Sequence, residues 1–297
     1  MNSFEKKIII STTPINQRIW TEGMPETNAE GVRSTLQMKE HSDTSNKIFN
    51  GLLYSFELGA NPKRFIVSSE IFKGESTLLR TNNAFIENFG QLDWVTDFQY
   101  ANQWNDDPFP IDKCGDALKL GVNKVGITIL YNPNISYKDA TLKNAIDSMN
   151  ESMKLTNQKL MISLKIINEE SKENNDLMVL ESIRQLQDAD LNPDSWILEL
   201  NGNEDTASLI SSQAQIDDRL DTSVILKIND LEQMQKSLEV LASTIGIQGI
   251  LLDFNVWRNF IRKLEKNIGS ANFEQIIADK ILEILKRLDY INSSMNF

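Results

Sequence analysis

The chain has 297 residues, enough for one α/β barrel or two smaller domains, and its 40% apolar content supports a substantial core. Lys and Arg total 30 against 42 for Asp and Glu, a formal net charge of −12, and no basic stripe is expected to interrupt the acidic surface, so a phosphate-backbone partner is repelled at long range and nucleic acid is not expected. Cys114 is the single cysteine and His41 the single histidine, which excludes an internal disulfide and a zinc site of His and Cys ligands; no metal or cofactor is expected.

The opening MNSFEKKIII lacks the long apolar run and small-residue cleavage site of a secretory signal. No stretch reaches the ~20 apolar residues that a membrane span requires. A cytosolic location and no membrane partner are the expectations. His41 lies in the polar run Lys39-Glu40-His41-Ser42, which predicts an exposed side chain and removes the base of a Ser-His-Asp triad. Catalysis by this chain would then rest on Lys, Asp, Glu, Tyr or a bound ion.

In chain order, eight short β-rich runs alternate with longer segments of helical spacing. The first is Lys6 to Thr12 (KKIIIST), followed by an irregular stretch from Trp20 to Glu30. The second and third are Arg64 to Glu70 (RFIVSSE) and Asp93 to Gln99 (DWVTDFQ), the latter running into the loop ANQWNDDPFPIDK. Lys124 to Tyr131 (KVGITILY) and Lys159 to Ile167 (KLMISLKII) follow, then a polar segment NEESKENN that reads as a solvated loop and helix start. Ser195 to Asn201 (SWILELN), Thr222 to Asn229 (TSVILKIN) and Ile247 to Phe254 (IQGILLDF) complete the set. Near-continuous Ile, Leu and Val suit strands covered on both faces, as in a parallel sheet. Asp230 opens a helix with Leu231, Met234, Leu238 and Leu241 on one face, and Asn272 to Leu288 repeats that spacing as a closing helix. Eight β/α units in series predict a closed eight-stranded parallel TIM barrel, one domain over residues 1–297. An open doubly wound sheet is the rival, but no Gly-rich phosphate fingerprint follows the first strand.

Side chains alternate along a strand, so polar residues inside apolar runs mark the face turned to the barrel interior. Ser195, Ile197, Glu199 and Asn201 share that face on the sixth strand, with Trp196, Leu198 and Leu200 toward the helices. Ser163, Lys165 and Ile167 point inward from the fifth, Ile225, Lys227 and Asn229 from the seventh, and Lys124, Gly126 and Thr128 from the fourth. Asp97 and Asp253 are candidates from the third and eighth. Lys165, Glu199 and Lys227 are thereby expected near the C-terminal mouth as candidate catalytic groups, with Asp97, Thr128, Asn201 and Asp253 as candidate substrate contacts. A desolvated lysine among carboxylates can form a Schiff base while the acid moves protons. The same charges can instead form a structural network, and pairing raises a lysine's pKa and blunts its nucleophilicity.

With the strands placed, GITILYNPN (Gly126 to Asn134), KLMISLKII, ESIRQLQDADLNPDSWILEL (Glu181 to Leu200) and IQGILLDFNVW (Ile247 to Trp257) resemble class I aldolase-like barrels. That family includes tagatose-bisphosphate aldolase and the aldolase-like domain of myo-inositol catabolism. The likeness covers about residues 120 to 290, with Asn192-Pro193-Asp194-Ser195-Trp196 its most distinctive piece. The resemblance implies a Schiff-base lysine on the sixth strand, a lysine on the fourth, a glutamate on the fifth and a phosphate-binding arginine after the eighth. Ile197, Gly126, Lys165 and Phe254 occupy those positions here, and STTPINQR lacks the acidic residue expected after the first strand. Isoleucine forms no imine, and phenylalanine holds no phosphate by charge.

Three readings follow. The leading one is a barrel of carbohydrate-metabolism type that has lost the Schiff-base site and binds a small molecule, such as a sugar or sugar phosphate, without covalent catalysis. The second is an active carbon-carbon lyase with its nucleophile moved to Lys165 or Lys227. The third is a partner-binding subunit using the aromatic loop around Trp104 and Phe109.

Overall fold

A computed structural model of the chain describes residues 6–13, 30–71, 75–97, 109–134, 140–167, 175–200, 204–231, 234–244, 246–268 and 272–294. Eight parallel strands close into a barrel in sequence order. They are β1 (Lys7–Ser11), β2 (Phe65–Glu70), β3 (Glu87–Asp97), β4 (Lys124–Tyr131), β5 (Lys159–Ile166), β6 (Ser195–Leu198), β7 (Ser223–Ile228) and β8 (Ile247–Leu252). β8 returns to pair with β1, from Lys7 opposite Gly249 to Ile10 opposite Leu252. The predicted closed TIM barrel is the fold.

Helices α1 (Glu30–Glu57), α2 (Glu75–Asn83), α3 (Ile111–Lys119), α4 (Ala140–Thr156), α5 (Asn175–Asp188), α6 (Glu204–Ala214) and α7 (Met234–Ser243) follow the first seven strands. Two helices, α8 (Phe254–Ile268) and α9 (Phe273–Ser294), follow the last. α9 closes the ring by packing on both α1 and α7, as the spacing from Asn272 predicts. Asn272 Oδ1 accepts from the Gln275 amide 3.4 Å away and starts this helix. α8 is an additional helix that begins directly at the C-terminal end of β8 and leans on α1. Among the described residues, no helix is long and apolar enough to cross a membrane.

Alternation along the strands divides the core in two. Trp196, Leu198, Val224, Leu226, Ile250 and their like form the larger cluster beneath the helices. Inside the barrel, Ile9, Ile66, Phe89, Met161, Ile197, Ile225 and Leu251 make a separate apolar plug drawn from seven strands. Each such side chain contributes roughly 1.5–3 kcal/mol on burial. The plug therefore outweighs any single ion pair at the barrel ends. β4 supplies Gly126 beside this layer, and a Cβ there would lie 2.9 Å from the Phe89 ring. Phe89 thus fills space that a side chain on β4 would need.

β3 departs from expectation. It starts at Glu87, six residues before the predicted Asp93, because its first half, Glu-Asn-Phe-Gly, carries little strand propensity. Asn88 bonds the Asn82 side chain at 2.5 Å, and Gly90 admits Ile71 and Val122, which would crowd a Cβ to 2.7 and 3.1 Å. The register shifts between Gln91 and Val95, the irregularity that hides the strand's true length from a period-2 search. Phe109 is buried in the helix-facing cluster, which corrects its reading as a partner-facing aromatic. Trp104 and the NEESKEN stretch at 168–174 lie outside the described residues.

Substituting Gly126 with Ala should destabilise the barrel by about 1–3 kcal/mol through overpacking on Phe89. Combining it with Phe89→Leu should cost less than the two single changes added together, because they share one space. Urea unfolding of the four proteins measures this coupling, and strict additivity would place Gly126 and Phe89 out of contact.

Candidate functional site

The C-terminal mouth is built from residues one step above the apolar plug. Lys227, the penultimate residue of β7, points inward as its alternation with Ile225 requires. Its Nζ stands 3.0 Å from Glu199 Oε1 and 3.5 Å from Asp253 Oδ2, and only 17% of the side chain is exposed. Asp253 is buried deeper still, with 5% of its side chain exposed. Glu199 follows β6 directly, so the strand ends at Leu198 rather than at the predicted Asn201. Asn201 lies outside the described residues.

Asp253 has a second role that sequence reasoning missed. Its Oδ1 accepts the Asn255 amide at 2.9 Å and its carbonyl accepts the Val256 amide at 3.0 Å, so it caps the first turn of α8. A carboxylate is favoured there by the unpaired amides and the positive end of the helix dipole. The available signal was the Asp-Phe-Asn sequence closing an apolar run.

Lys165 ends differently from the network expected of it. It is exposed near the end of β5, and among the described residues no carboxylate lies within ion-pair distance. Its charge still helps to hold Glu199 ionised. Burial alone pushes the Glu199 carboxyl up, but the Lys227 charge and hydrogen bond, the Asn229 amide and Lys165 together bring it below its ordinary value. Burial likewise pushes Lys227 down, and Asp253 and Glu199 more than reverse this and raise it. Lys227 is therefore an ammonium at neutral pH and Glu199 a carboxylate, an arrangement that suits a fixed charge better than a nucleophile.

Thr128 and Ser163 face inward side by side, paired in register between β4 and β5, and with Gln91, Gly126 and Ile197 they line a void of about 10 Å³. That volume is at the lower limit for one water molecule. Ile197 is 2% exposed, within the plug. Gln91 donates to Ser68 at 2.5 Å, a polar contact across β2 and β3 that the sequence did not single out. Asp97 ends β3 opposite Leu130, and its side chain lies outside the described residues.

Lys124 faces inward but at the opposite end of the barrel. It donates to Glu87, which also lies 3.6 Å from Lys7, and this bridge ties β1, β3 and β4 together. Lys124 therefore stands apart from the charged groups of the mouth. His41 is also placed differently. Rather than standing fully exposed, it is half-buried and meets the Phe254 ring edge-on at 5.4 Å, because α1 turns it toward the start of α8. Phe254 itself is fully buried. Among the described residues, no group of three or more His, Cys, Asp or Glu is placed to hold a metal ion.

No family model matches the sequence, and no curated protein does. Solved structures do match. The YdjI aldolase from Escherichia coli K12 superposes with a TM-score of 0.53 at 10% identity, covering 97% of this chain and 92% of that one. Orotidine 5'-monophosphate decarboxylase from Methanocaldococcus jannaschii gives 0.47 at 9% identity, over 95% and 99% of the two chains. The chain has a (β/α)8 barrel fold, and at this identity the likeness is one of fold alone.

Replacing Lys227 with Met should lower stability by about 2–3 kcal/mol near neutral pH, since Glu199 and Asp253 then face each other without a cation. The pH dependence follows from the shifts. Glu199 is lowered, so its contribution is present above its ordinary value of 4.5 and is lost as pH falls through the folded value. Lys227 is raised, so its contribution is full below 10.5 and is lost as pH rises through the folded value. The penalty of the substitution should therefore be widest between these limits and shrink as Glu199 protonates, measured by urea unfolding across pH. A pH-independent penalty would indicate lost packing alone.

Proposed function

We propose that this protein is an aldolase-like barrel lacking a Schiff-base site, and that its mouth binds a small polar ligand of the sugar or sugar-phosphate class without covalent catalysis. Lys165, Glu199, Lys227 and Asp253 supply the charges of this mouth, with Thr128, Asp97 and Asn201 as further contacts, all within one domain over residues 1–297. The observation that carries the reading is Ile197. It sits inside the apolar plug, where the resemblance places the imine-forming lysine, and its hydrocarbon side chain has no lone pair to offer a carbonyl.

Two further features support it. Gly126, the position matched to a second lysine, is bordered by the Phe89 ring. Phe254, the position matched to a phosphate-binding arginine, is buried against His41. Lys227 is the inward amine that remains deep in the mouth, and its two carboxylates keep it protonated.

The second reading, an active carbon-carbon lyase with a relocated nucleophile, draws on Lys165. Its amine has no carboxylate partner among the described residues and stands near Glu199, which would serve as proton shuttle. It is also exposed, without the apolar enclosure that activates lysine nucleophiles.

Incubation with dihydroxyacetone phosphate and borohydride separates the two. The intact mass should stay unchanged, because Lys227 is held protonated by its two carboxylates and Lys165 is exposed. An adduct that disappears in Lys165→Met or Lys227→Met would establish the lyase reading and overturn the first.

A further inference from the structure

Folding brings Lys280 beside three cations, Arg262, Lys263 and Lys266, that lie close together in the sequence. A cavity of about 640 Å³ lies on the barrel rim between the turn after β7, α8 and α9. Arg262, Lys263 and Lys266 of α8 and Lys280 of α9 line it, against one carboxylate, Asp230. This is a local excess of positive charge on a chain whose net charge is −12.

The cations are partly pre-positioned from outside the cavity. Arg262 Nε bonds Glu40 on α1 at 2.9 Å, and Lys280 bonds Glu283 at 2.7 Å. Neither of these carboxylates lines the cavity. Lys266 is exposed, and among the described residues it has no ion-pair partner. The remaining wall is mixed. Asn229 and Asn259 offer amides, while Leu231, Val256 and the Phe260 ring form an apolar side. Trp257 meets Phe260 edge-on, with ring centres 6.2 Å apart, and so supports that side from the core.

Cations and an aromatic ring lining one cavity, with Phe260 one turn before Lys263 on α8, fit a ligand with two unlike halves. The volume lies in the range of roughly 300–1,000 Å³ typical of small-molecule sites. It is too small for a polymer, and the acidic chain around it repels one. We propose that this cavity binds a small phosphorylated organic molecule, with its phosphate against Lys263, Lys266 and Lys280 and its organic body on Phe260. The site is separate from the mouth, although Asn229 borders both through its bond to Glu199. The proposal goes beyond the reading of the mouth and stands whether or not that reading holds.

Calorimetric titration of the full chain with phenyl phosphate and with inorganic phosphate, at low ionic strength, tests it. Phenyl phosphate should saturate a single site and bind more tightly than inorganic phosphate. The double variant K263E/K266E should weaken it by roughly tenfold or more, as expected when two nearby cations become anions. Both residues are exposed on α8, and circular dichroism matching wild type is the folding control for the variant. Lys154→Met, an exposed position on α4 that does not line the cavity, should bind as wild type does. Absent saturation, equal affinity for the two anions, unchanged affinity in the double variant, or loss in Lys154→Met would each overturn the assignment.

Discussion

A single ammonium group organises the open end of this barrel. Lys227 rises from β7 between Glu199, just beyond β6, and Asp253, just beyond β8, so one cation ties together the ends of three neighbouring strands. Asp253 then uses its other oxygen to start α8, which couples the charge network to the helix that follows. Burying any one of these charges alone would cost several kcal/mol. Together they keep Lys227 protonated and Glu199 ionised, and the chain gains a defined direction for α8 as it leaves the barrel.

Beneath this network the barrel is plugged with hydrocarbon. Seven strands send an apolar side chain to the same interior layer, and Phe89 occupies the space beside Gly126 on the eighth. Chemistry at that depth would need polar groups and room for a substrate, whereas the interior there holds a void of about 10 Å³. Any ligand of the mouth must therefore sit above the plug, among the charged ends of the strands. Fold likeness to an aldolase is compatible with this arrangement, since one barrel scaffold carries many unrelated chemistries.

The barrel was legible in the sequence because its strongest signal is local. Runs such as KVGITILY and TSVILKIN announce buried parallel strands, and the alternation in SWILELN correctly turns Trp196 outward and Ile197 inward. β3 was half hidden, since Glu87 to Gly90 pair in register without the residue types that favour strands. Convergence of Lys227, Glu199 and Asp253 followed from side-chain parity. Parity cannot measure distance, however, so Lys165 was grouped with them although it stands exposed and unpaired among the described residues. Parity also places Lys124 on the inward face, although it stands at the N-terminal end of β4 and pairs with Glu87 there. His41 and the α8 cations depend on helices meeting across the fold, and no window of sequence contains both partners.

The protonation state of Lys227 tests the central claim most directly. With lysine side chains labelled at Cε and Nζ, and Lys227→Arg used to assign the resonance, NMR should follow the amine through alkaline pH. The account predicts an ammonium that survives above the ordinary lysine value of 10.5, in step with the ionised carboxylates beside it. An amine that deprotonates near neutrality would contradict it, because such a group would be a nucleophile at the mouth rather than its fixed charge.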